Sequence, residues 1–273
     1  MSAGTNEMPI LRQLQLTELD ILKEFQRICE RHSLTYYLLG GSLLGAVRHS
    51  GFIPWDDDID VGMPRPNYER FASLCDTELG SQFAWQTYRT EPRYPFIFGK
   101  LLRNDTLLHD RITQHLPIRH CVSIDVFALD GIPRRAVSRG LHKWTIKLCK
   151  LKLGSGMRSR GPKRALAMAT RVIPRAWAIA VCEMLARRFP YDDSQIVANL
   201  GGAYGYRREA VPKEWLGEGA KLQFEDVKAF GPKEWDKYLT HIYGDYMRLP
   251  PEGKRKSDHD LTSVSLGPFL DEH

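Results

Sequence analysis

Residues 56–63 read Asp-Asp-Asp-Ile-Asp-Val-Gly-Met, so four carboxylates fall within five positions at the start of an apolar run. The alternation of polar and apolar residues predicts a strand over 58–63, because side chains on a strand point to alternate faces. Asp58 and Asp60 then share one face of that strand. Carboxylates this close repel each other, and a divalent cation relieves the repulsion. The segment therefore predicts a strand that presents paired carboxylates to a cation, in preference to a solvated acidic turn.

The same residues exclude a calcium loop of the EF-hand type. Such a loop has glycine at its sixth position and glutamate at its twelfth. Counted from Asp56, these positions hold Val61 and Asn67. The carboxylates therefore serve some other kind of site.

A Gly-Gly-Ser turn at residues 40–42 lies upstream, between a strand predicted over 34–39 and a short helix predicted over 43–48. Glycine lets the backbone approach a ligand closely, and the amides at a helix N-terminus favour a phosphate group. A glycine pair is more often a structural turn. The turn therefore indicates a phosphate-binding site only in combination with the carboxylates that follow it.

A further aspartate, Asp125, stands between Ile124 and Val126 in a strand predicted over 122–127. A lone carboxylate in an apolar strand is costly to bury unless it binds something. Together with Asp58 and Asp60 it completes a three-carboxylate site for Mg²⁺, which can bridge phosphate oxygens and activate a hydroxyl. The alternative for Asp125 is a turn residue at the end of its strand.

The remaining pattern predicts a mixture of helices and strands. A helix is expected over 17–32 with Thr17 as its N-cap, a second over 67–79, and a further strand over 96–102. Apolar residues make up 42% of the chain, enough to bury a core. Because the order of elements has no regular β-α-β rhythm, the fold class is α+β. We expect a single domain over residues 1–273.

Positive charge is concentrated in one segment. Residues 134–188 hold fifteen lysines and arginines and a single acid, Glu183, whereas acids outnumber bases in the rest of the chain. Interleaved apolar residues predict two amphipathic helices hinged near 154–161, within a basic helical insertion over 133–190. An anionic membrane surface suits this pattern better than nucleic acid, since few aromatic residues are spaced to stack on bases. A solvated helical surface is the plainer alternative.

The chain has no basic start followed by an apolar segment, and no apolar stretch long enough to span a bilayer. Its five cysteines are dispersed, which is typical of reduced thiols. These features predict a cytoplasmic protein, held as a peripheral protein at the inner membrane face by its basic segment.

The quoted motifs resemble those of a known family. A Gly-Gly-Ser turn, an Asp-x-Asp strand and a third aspartate on a later strand are similar to the nucleotidyltransferase (polymerase β-like) superfamily. The long motif LGGSLLGAVRHSGFIPWDDDIDVGMPRPNYERF resembles more closely the LicD family, which includes fukutin-related proteins. Further similarity lies in PFIFGKLLRNDT, IDVFALD and YLTHIYGDYMRLPPEGKR, so the resemblance covers most of the chain outside the basic segment.

The resemblance implies a nucleotidyltransferase-like mixed sheet flanked by helices. It also implies transfer of phosphocholine from CDP-choline to a hydroxyl of a cell-surface glycan precursor, of the teichoic acid or lipooligosaccharide type, with release of CMP. Mg²⁺ or Mn²⁺ would be the cofactor. By position in the motifs, Asp58, Asp60 and Asp125 would be the metal ligands and catalytic residues, with Asp125 as the third ligand or the general base.

Substrate-binding residues follow from the same motifs. Gly41 and Ser42 would hold donor phosphate, and Arg48 and Lys100 would neutralise its charge. A choline head group needs aromatic faces because a quaternary ammonium cannot donate hydrogen bonds. The candidates for such a cage are Trp55, Phe127, Trp215, Tyr243 and Tyr246.

Two alternatives remain open at this stage. The same fold could transfer a nucleotidyl, phosphoethanolamine or polyol-phosphate group. The chain could also be a non-catalytic scaffold that binds membranes or glycans, although all three aspartates are present.

Overall fold

The structure is a computed structural model that describes residues 8–157, 168–257 and 261–266. It is a mixed α/β fold, as expected. The elements in chain order are α1 (Ile10–Arg31), β1 (Tyr37–Leu38), α2 (Gly40–His49), β2 (Asp60–Pro64), α3 (Arg65–Glu78), β3 (Phe83–Gln86), β4 (Gly99–Arg103), β5 (Leu107–Asp110), β6 (Ser123–Gly131), α4 (Ala136–Leu153), α5 (Arg175–Arg188), β7 (Ile196–Asn199), α6 (Tyr206–Glu209), β8 (Ala210–Pro212), β9 (Ala220–Phe224), β10 (Val227–Gly231), α7 (Trp235–Tyr243) and β11 (Leu261–Ser265).

The main sheet is mixed and runs in the order β1-β2-β6-β4-β3. β2 and β6 are parallel neighbours, whereas β6 pairs antiparallel with β4 through its first half and with β7 through its last residues. β8 extends the sheet beyond β7. Two smaller antiparallel pairs lie outside it, the hairpin β9–β10 and the long-range pair β5–β11. The long strand β6 is therefore the central strand, which pairs with β2, β4 and β7.

The core forms where α1 and α3 pack against the central strands. Leu22, Phe25 and Ile28 of α1 are fully buried, and so are Ile59 and Val61 beside β2. Phe25 also contacts the ring of Phe71 on α3, with centroids 4.9 Å apart. These apolar side chains fix the position of the strands that carry the aspartates.

The first helix is longer than its sequence pattern predicts. It begins at Ile10 after Pro9, so the prediction of Thr17 as N-cap was wrong. Thr17 is buried inside the helix and its hydroxyl donates to the carbonyl of Gln13 at 3.0 Å. A threonine that bonds back to the preceding turn can sit inside a helix as well as at its start.

The strand of the carboxylate segment is shifted relative to the prediction. β2 begins at Asp60, so Asp58 precedes the strand. The predicted glycine turn is also part of a helix. α2 begins at Gly40, and Leu39 is the residue that precedes it. Gly40 has a φ of +50°, a conformation that favours glycine.

The basic segment contains the two predicted helices, α4 and α5, which pack against each other. The second one is interrupted within its predicted span. Thr170–Val172 forms a 3-10 turn, and α5 begins only after Pro174, which is compatible with a helix start but not with a helix interior. Half of the predicted hinge and the predicted start of the second helix fall within residues 158–167, which lie outside the described residues. Within the part of the chain that the structure describes, no helix is both long enough and apolar enough to cross a membrane.

Candidate functional site

Asp60 and Asp125 occupy neighbouring positions in the sheet. They are direct partners in the parallel register of β2 and β6, and the Asp125 amide donates to the carbonyl of Ile59 at 2.8 Å. Neighbouring strands lie about 4.8 Å apart, and partners in register project to the same face. The sheet therefore brings together two aspartates that are far apart in the sequence.

The carboxylate of Asp60 lies in a field of negative charge. Burial raises its pKa well above the ordinary value, and the charges of Asp58, Asp125 and Asp56 raise it further. Mutual repulsion of this kind is what a bound cation relieves. The structure thus brings the three sequence-predicted aspartates within electrostatic reach of one another.

The start of α2 packs against these acids. A Cβ built on Gly41 would lie 2.5 Å from Oδ2 of Asp56, and one on Gly40 would lie 3.2 Å from Oδ2 of Asp60. Ser42 is buried, and its hydroxyl accepts a hydrogen bond from the Asp60 amide at 2.8 Å. The glycines therefore allow the helix N-terminus to approach the acids, while Ser42 holds the start of β2 in place.

Lys100 supplies positive charge at the same place. Its Nζ donates to Oδ1 of Asp125 at 2.5 Å and lies 3.4 Å from the hydroxyl of Ser123. Burial alone would lower the pKa of Lys100, but the charge and hydrogen bond of Asp125, together with Asp58 and Asp60, raise it. An ammonium held so close to the acids is positioned to contact a phosphate group that binds there.

Glu18 is an acid of the site that the sequence analysis missed. It lies on α1, is 1% exposed, and has a pKa raised well above normal by burial and then by Asp58 and Asp57. Among the described residues, its Oε2 has no hydrogen-bond partner. The signal was present in the sequence, because Glu18 lies one turn from Leu14 and one turn from Leu22 on the buried stripe of the helix.

A glycine-rich loop between β7 and α6 covers another side of the acids. The ring of Tyr204 would be 3.5 Å from a Cβ on Gly40, and its hydroxyl lies 2.5 Å from that of Tyr243. Burial raises the pKa of Tyr204, and Asp60 and Asp58 add to this effect. Tyr204, which sequence reasoning also missed, and Tyr243 thus place aromatic rings beside the carboxylates.

A buried glutamate and a half-buried lysine hold this loop. The carboxylate of Glu209 accepts a hydrogen bond from the amide of Tyr204 at 3.1 Å. Burial raises the pKa of Glu209 to about 7. Lys150 of α4 donates to the carbonyls of Leu200, Gly201 and Gly202 at 3.0–3.1 Å. The basic segment is therefore tied directly to the loop that carries Tyr204.

Two further predicted binding residues, Arg48 and Trp55, contact the C-terminal part of the chain. Arg48 is at the opposite end of α2, about 12 Å from Gly40 along the helix axis, and donates to the carbonyl of Tyr246 at 2.9 Å. Trp55 is half-buried, with the guanidinium of Arg255 5.8 Å from its ring centre.

The remaining aromatic candidates are engaged with other side chains. Phe127 is buried against Phe98, with ring centres 4.4 Å apart. Trp215 packs edge-on near His241, with ring centres 5.9 Å apart. The hydroxyl of Tyr246 donates to Asp236 at 2.5 Å. Tyr243 contacts the hydroxyl of Tyr204, whose ring lies beside Gly40 and the carboxylates.

The donor set fits a hard divalent cation. Asp58, Asp60 and Asp125 offer carboxylate oxygens, which Mg²⁺ prefers, and the buried Oε2 of Glu18 has no hydrogen-bond partner among the described residues. In the part of the chain described here, however, no three acid, histidine or cysteine side chains converge into a preformed metal site. Mg²⁺ is typically held by one or two carboxylates together with substrate phosphates, which matches an open arrangement of this kind.

Comparison with known proteins identifies the family of the chain. A family model described as "LicD/FKTN/FKRP, nucleotidyltransferase domain" matches residues 33–110, which include Asp58 and Asp60. The ribitol 5-phosphate transferase FKRP of Homo sapiens is 39% identical over 64 residues, covering 22% of this chain and 13% of that protein. The lipopolysaccharide cholinephosphotransferase LicD of Haemophilus influenzae is 30% identical over 262 residues, which cover 91% of this chain and 96% of that protein. Similarity over nearly the full length of both proteins shows that the chain belongs to the LicD family.

Proposed function

We propose that this protein is a phosphotransferase that moves phosphocholine from CDP-choline to a hydroxyl of a cell-surface glycan precursor and releases CMP. The observation that carries the proposal is the pairing of Asp60 with Asp125 on parallel strands beside Lys100. Family membership and the name of the Haemophilus relative support phosphocholine as the transferred group. A teichoic acid or lipooligosaccharide precursor is the proposed acceptor.

Each residue of the site has a role in this proposal. Asp58, Asp60 and Asp125 would hold Mg²⁺ or Mn²⁺. When bound, the ion supplies Lewis-acid polarisation of the donor pyrophosphate. Lys100 neutralises negative charge on the phosphate that is transferred. One oxygen of Asp125 accepts a hydrogen bond from Lys100, which leaves the second oxygen either as the third metal ligand or as the base that takes the proton of the acceptor hydroxyl.

The start of α2 provides the phosphate-binding part of the site. Gly40 and Gly41 have no side chain, so the N-terminus of α2 lies close to the acids. Amides at a helix N-terminus favour an anion. Ser42 keeps Asp60 at that terminus. We propose that the fold around this site is nucleotidyltransferase-like, in line with the description of the matching family model.

The direct test is calorimetric titration with CDP-choline, CDP-ethanolamine, CDP-glycerol and ATP, with and without Mg²⁺. Metal-dependent binding that prefers CDP-choline is the expected result. Asp60→Asn and Asp125→Asn should then reduce CMP release at least about 100-fold with acceptor present. Asp76→Asn, at an exposed position of α3, is the matched control and should keep full activity. Binding to none of the CDP donors would overturn the proposal.

Polyol phosphate is the second candidate for the transferred group. The observation in its favour is the 39% identity to the ribitol 5-phosphate transferase FKRP over 64 residues. Preference for CDP-glycerol in the titration would keep the proposed mechanism and change the product. A scaffold without catalytic activity predicts that Asp60→Asn changes no function of the protein.

A further inference from the structure

The outer side of α4 is an apolar surface inside the most basic part of the chain. Val137, Leu141, Trp144 and Leu148 recur at helical spacing and are 88%, 72%, 62% and 39% exposed. The opposite side of the same helix is the buried one. It contributes His142, Ile146, Cys149 and Leu153 to the interior. α4 therefore has a second apolar stripe that no described part of the protein covers.

The helix that packs beside α4 shows the same division. Trp177 and Met184, two turns apart on α5, are more than half exposed, whereas Ala178, Cys182 and Ala186 are buried. An exposed tryptophan on each of two adjacent helices is unusual for a surface that faces only water. Tryptophan is typical of the boundary between lipid head groups and acyl chains.

Positive charge surrounds the outer stripe of α4. Lys143 and Lys147 lie on the helix beside it, and the Lys147 ammonium is 4.8 Å from the centre of the Trp144 ring. The single acid of the segment, Glu183, points toward other partners and does not neutralise the lysines beside the stripe. It accepts hydrogen bonds from Tyr88 at 2.9 Å and from Arg89 at 3.0 Å, both on the main body.

We propose that the outer stripe of α4, with Trp177 and Met184 of α5, docks on an anionic lipid bilayer. The apolar side chains enter the interface between head groups and acyl chains, while Lys143 and Lys147 contact lipid phosphates. A second copy of this chain is a poor occupant, because two segments with fifteen bases and one acid each repel one another. Nucleic acid would leave the aliphatic part of the stripe without a partner.

This inference goes beyond the proposed function and does not depend on it. It gives the enzyme a defined orientation at the surface where lipid-linked acceptors would be found. Because Lys150 on the same helix holds the loop of Tyr204, the docked helix is directly connected to the carboxylate site.

The test is co-sedimentation of the full chain with vesicles of phosphatidylcholine alone and of phosphatidylcholine with phosphatidylglycerol. We expect recovery with the anionic vesicles that falls steeply when salt is raised from about 0.1 M to about 0.5 M. Leu141→Ser with Trp144→Ser should weaken binding at least about tenfold. The matched control is Met247→Ser with Leu249→Ser, which alters two apolar side chains exposed elsewhere.

The charge is tested separately from the apolar stripe. Lys143→Gln with Lys147→Gln should weaken binding to anionic vesicles by roughly tenfold to thirtyfold. Lys221→Gln with Lys228→Gln, on the exposed side of β9–β10, should have little effect. Light scattering on the same variants reports their oligomeric state, and circular dichroism reports whether they fold.

Three results would overturn the proposal. The first is no recovery of the wild-type chain with anionic vesicles. The second is equal recovery of folded stripe variants and wild type. The third is a wild-type dimer that the stripe variants convert to a monomer, which would make the stripe a surface for self-association. CMP release from a soluble donor, measured alongside, separates these outcomes from failure of the transferase proposal.

Discussion

Lys100 and Asp125 are direct partners across the antiparallel strands β4 and β6, with 2.5 Å between Nζ and Oδ1. This contact places an ammonium among carboxylates that otherwise repel each other. It also means that the charge balance of the site depends on one basic side chain as long as no cation is bound.

Replacing Lys100 should therefore make folding stability depend on metal. Because the pair is partly exposed, we expect Lys100→Gln to lower the free energy of unfolding by about 1–3 kcal/mol in EDTA. Mg²⁺ should restore part of that loss, since it replaces the missing positive charge. Thermal unfolding with and without Mg²⁺ measures both effects. Lys237→Gln, which removes an exposed pair with Glu234, is the control, and equal melting temperatures for the two variants in EDTA would contradict the prediction.

Tyr204 should contribute to the choice of donor. Its ring lies beside Gly40 and the carboxylates, where a quaternary ammonium could contact an aromatic face. Tyr204→Leu should raise KM for CDP-choline by roughly threefold to thirtyfold. The KM for CDP-glycerol, which has no cationic head group, should change much less. Tyr246→Phe is the control, and equal effects of Tyr204→Leu on both donors would show that the ring has no role in selecting choline.

Lys150 should determine how rigid the loop of Tyr204 is. Its ammonium binds three consecutive carbonyls, and hydrogen bonds to a charged group are stronger than neutral ones. Lys150→Met should lower the free energy of unfolding by about 1–3 kcal/mol. It should also speed amide hydrogen exchange over residues 200–205. Lys147→Met, on the exposed side of the same helix, should leave both quantities unchanged. An unchanged exchange rate in Lys150→Met would count against a structural role of these bonds.

Glu209 should give the protein a pH-dependent stability. Burial raises its pKa from 4.5 to about 7, so the folded chain keeps a proton that the unfolded chain releases. The unfolded state is therefore favoured progressively as pH rises from about 4.5 to about 7, and the loss is complete above that range. The full effect is about 3 kcal/mol.

Glu209→Gln keeps a hydrogen-bond acceptor for the amide of Tyr204 and removes the titration. The variant should lose less stability than the wild type between pH 5 and pH 7, as measured by denaturant unfolding at several pH values. Parallel pH profiles for the two proteins would show that Glu209 does not titrate in this range.

The sequence was most informative where chemistry and periodicity coincide. Asp60 and Asp125 each stand in a short apolar run, and such runs become central strands. Their meeting across the sheet was a hypothesis from chemistry, and the parallel pairing of β2 and β6 places them side by side. The two helices of the basic segment were predicted for the same reason, because amphipathic spacing is a strong local signal.

Other parts of the site depend on tertiary contacts that no local pattern reports. Tyr204 lies in a loop whose position is set by Glu209 of the next helix and by Lys150, which is more than one element away in the chain. Arg48 stands in the same motif as the aspartates, yet the length of α2 carries it away from them. Glu18 could have been found as a charge on a buried helical stripe, but its neighbours become known only from the packing of α1.

The site depends on two separate segments of the chain, because Asp60 lies on β2 and Asp125 on its parallel neighbour β6. The family model that matches residues 33–110 ends in β5, so the stretch it covers contains Asp60 but not Asp125. A fragment cut at that point would expose the edge of β2 and keep only part of the acids. A one-residue slip of β6 would turn Asp125 to the opposite face of the sheet. Exchanges of segments between relatives can therefore preserve the chemistry only if the two strands are inherited with their register intact.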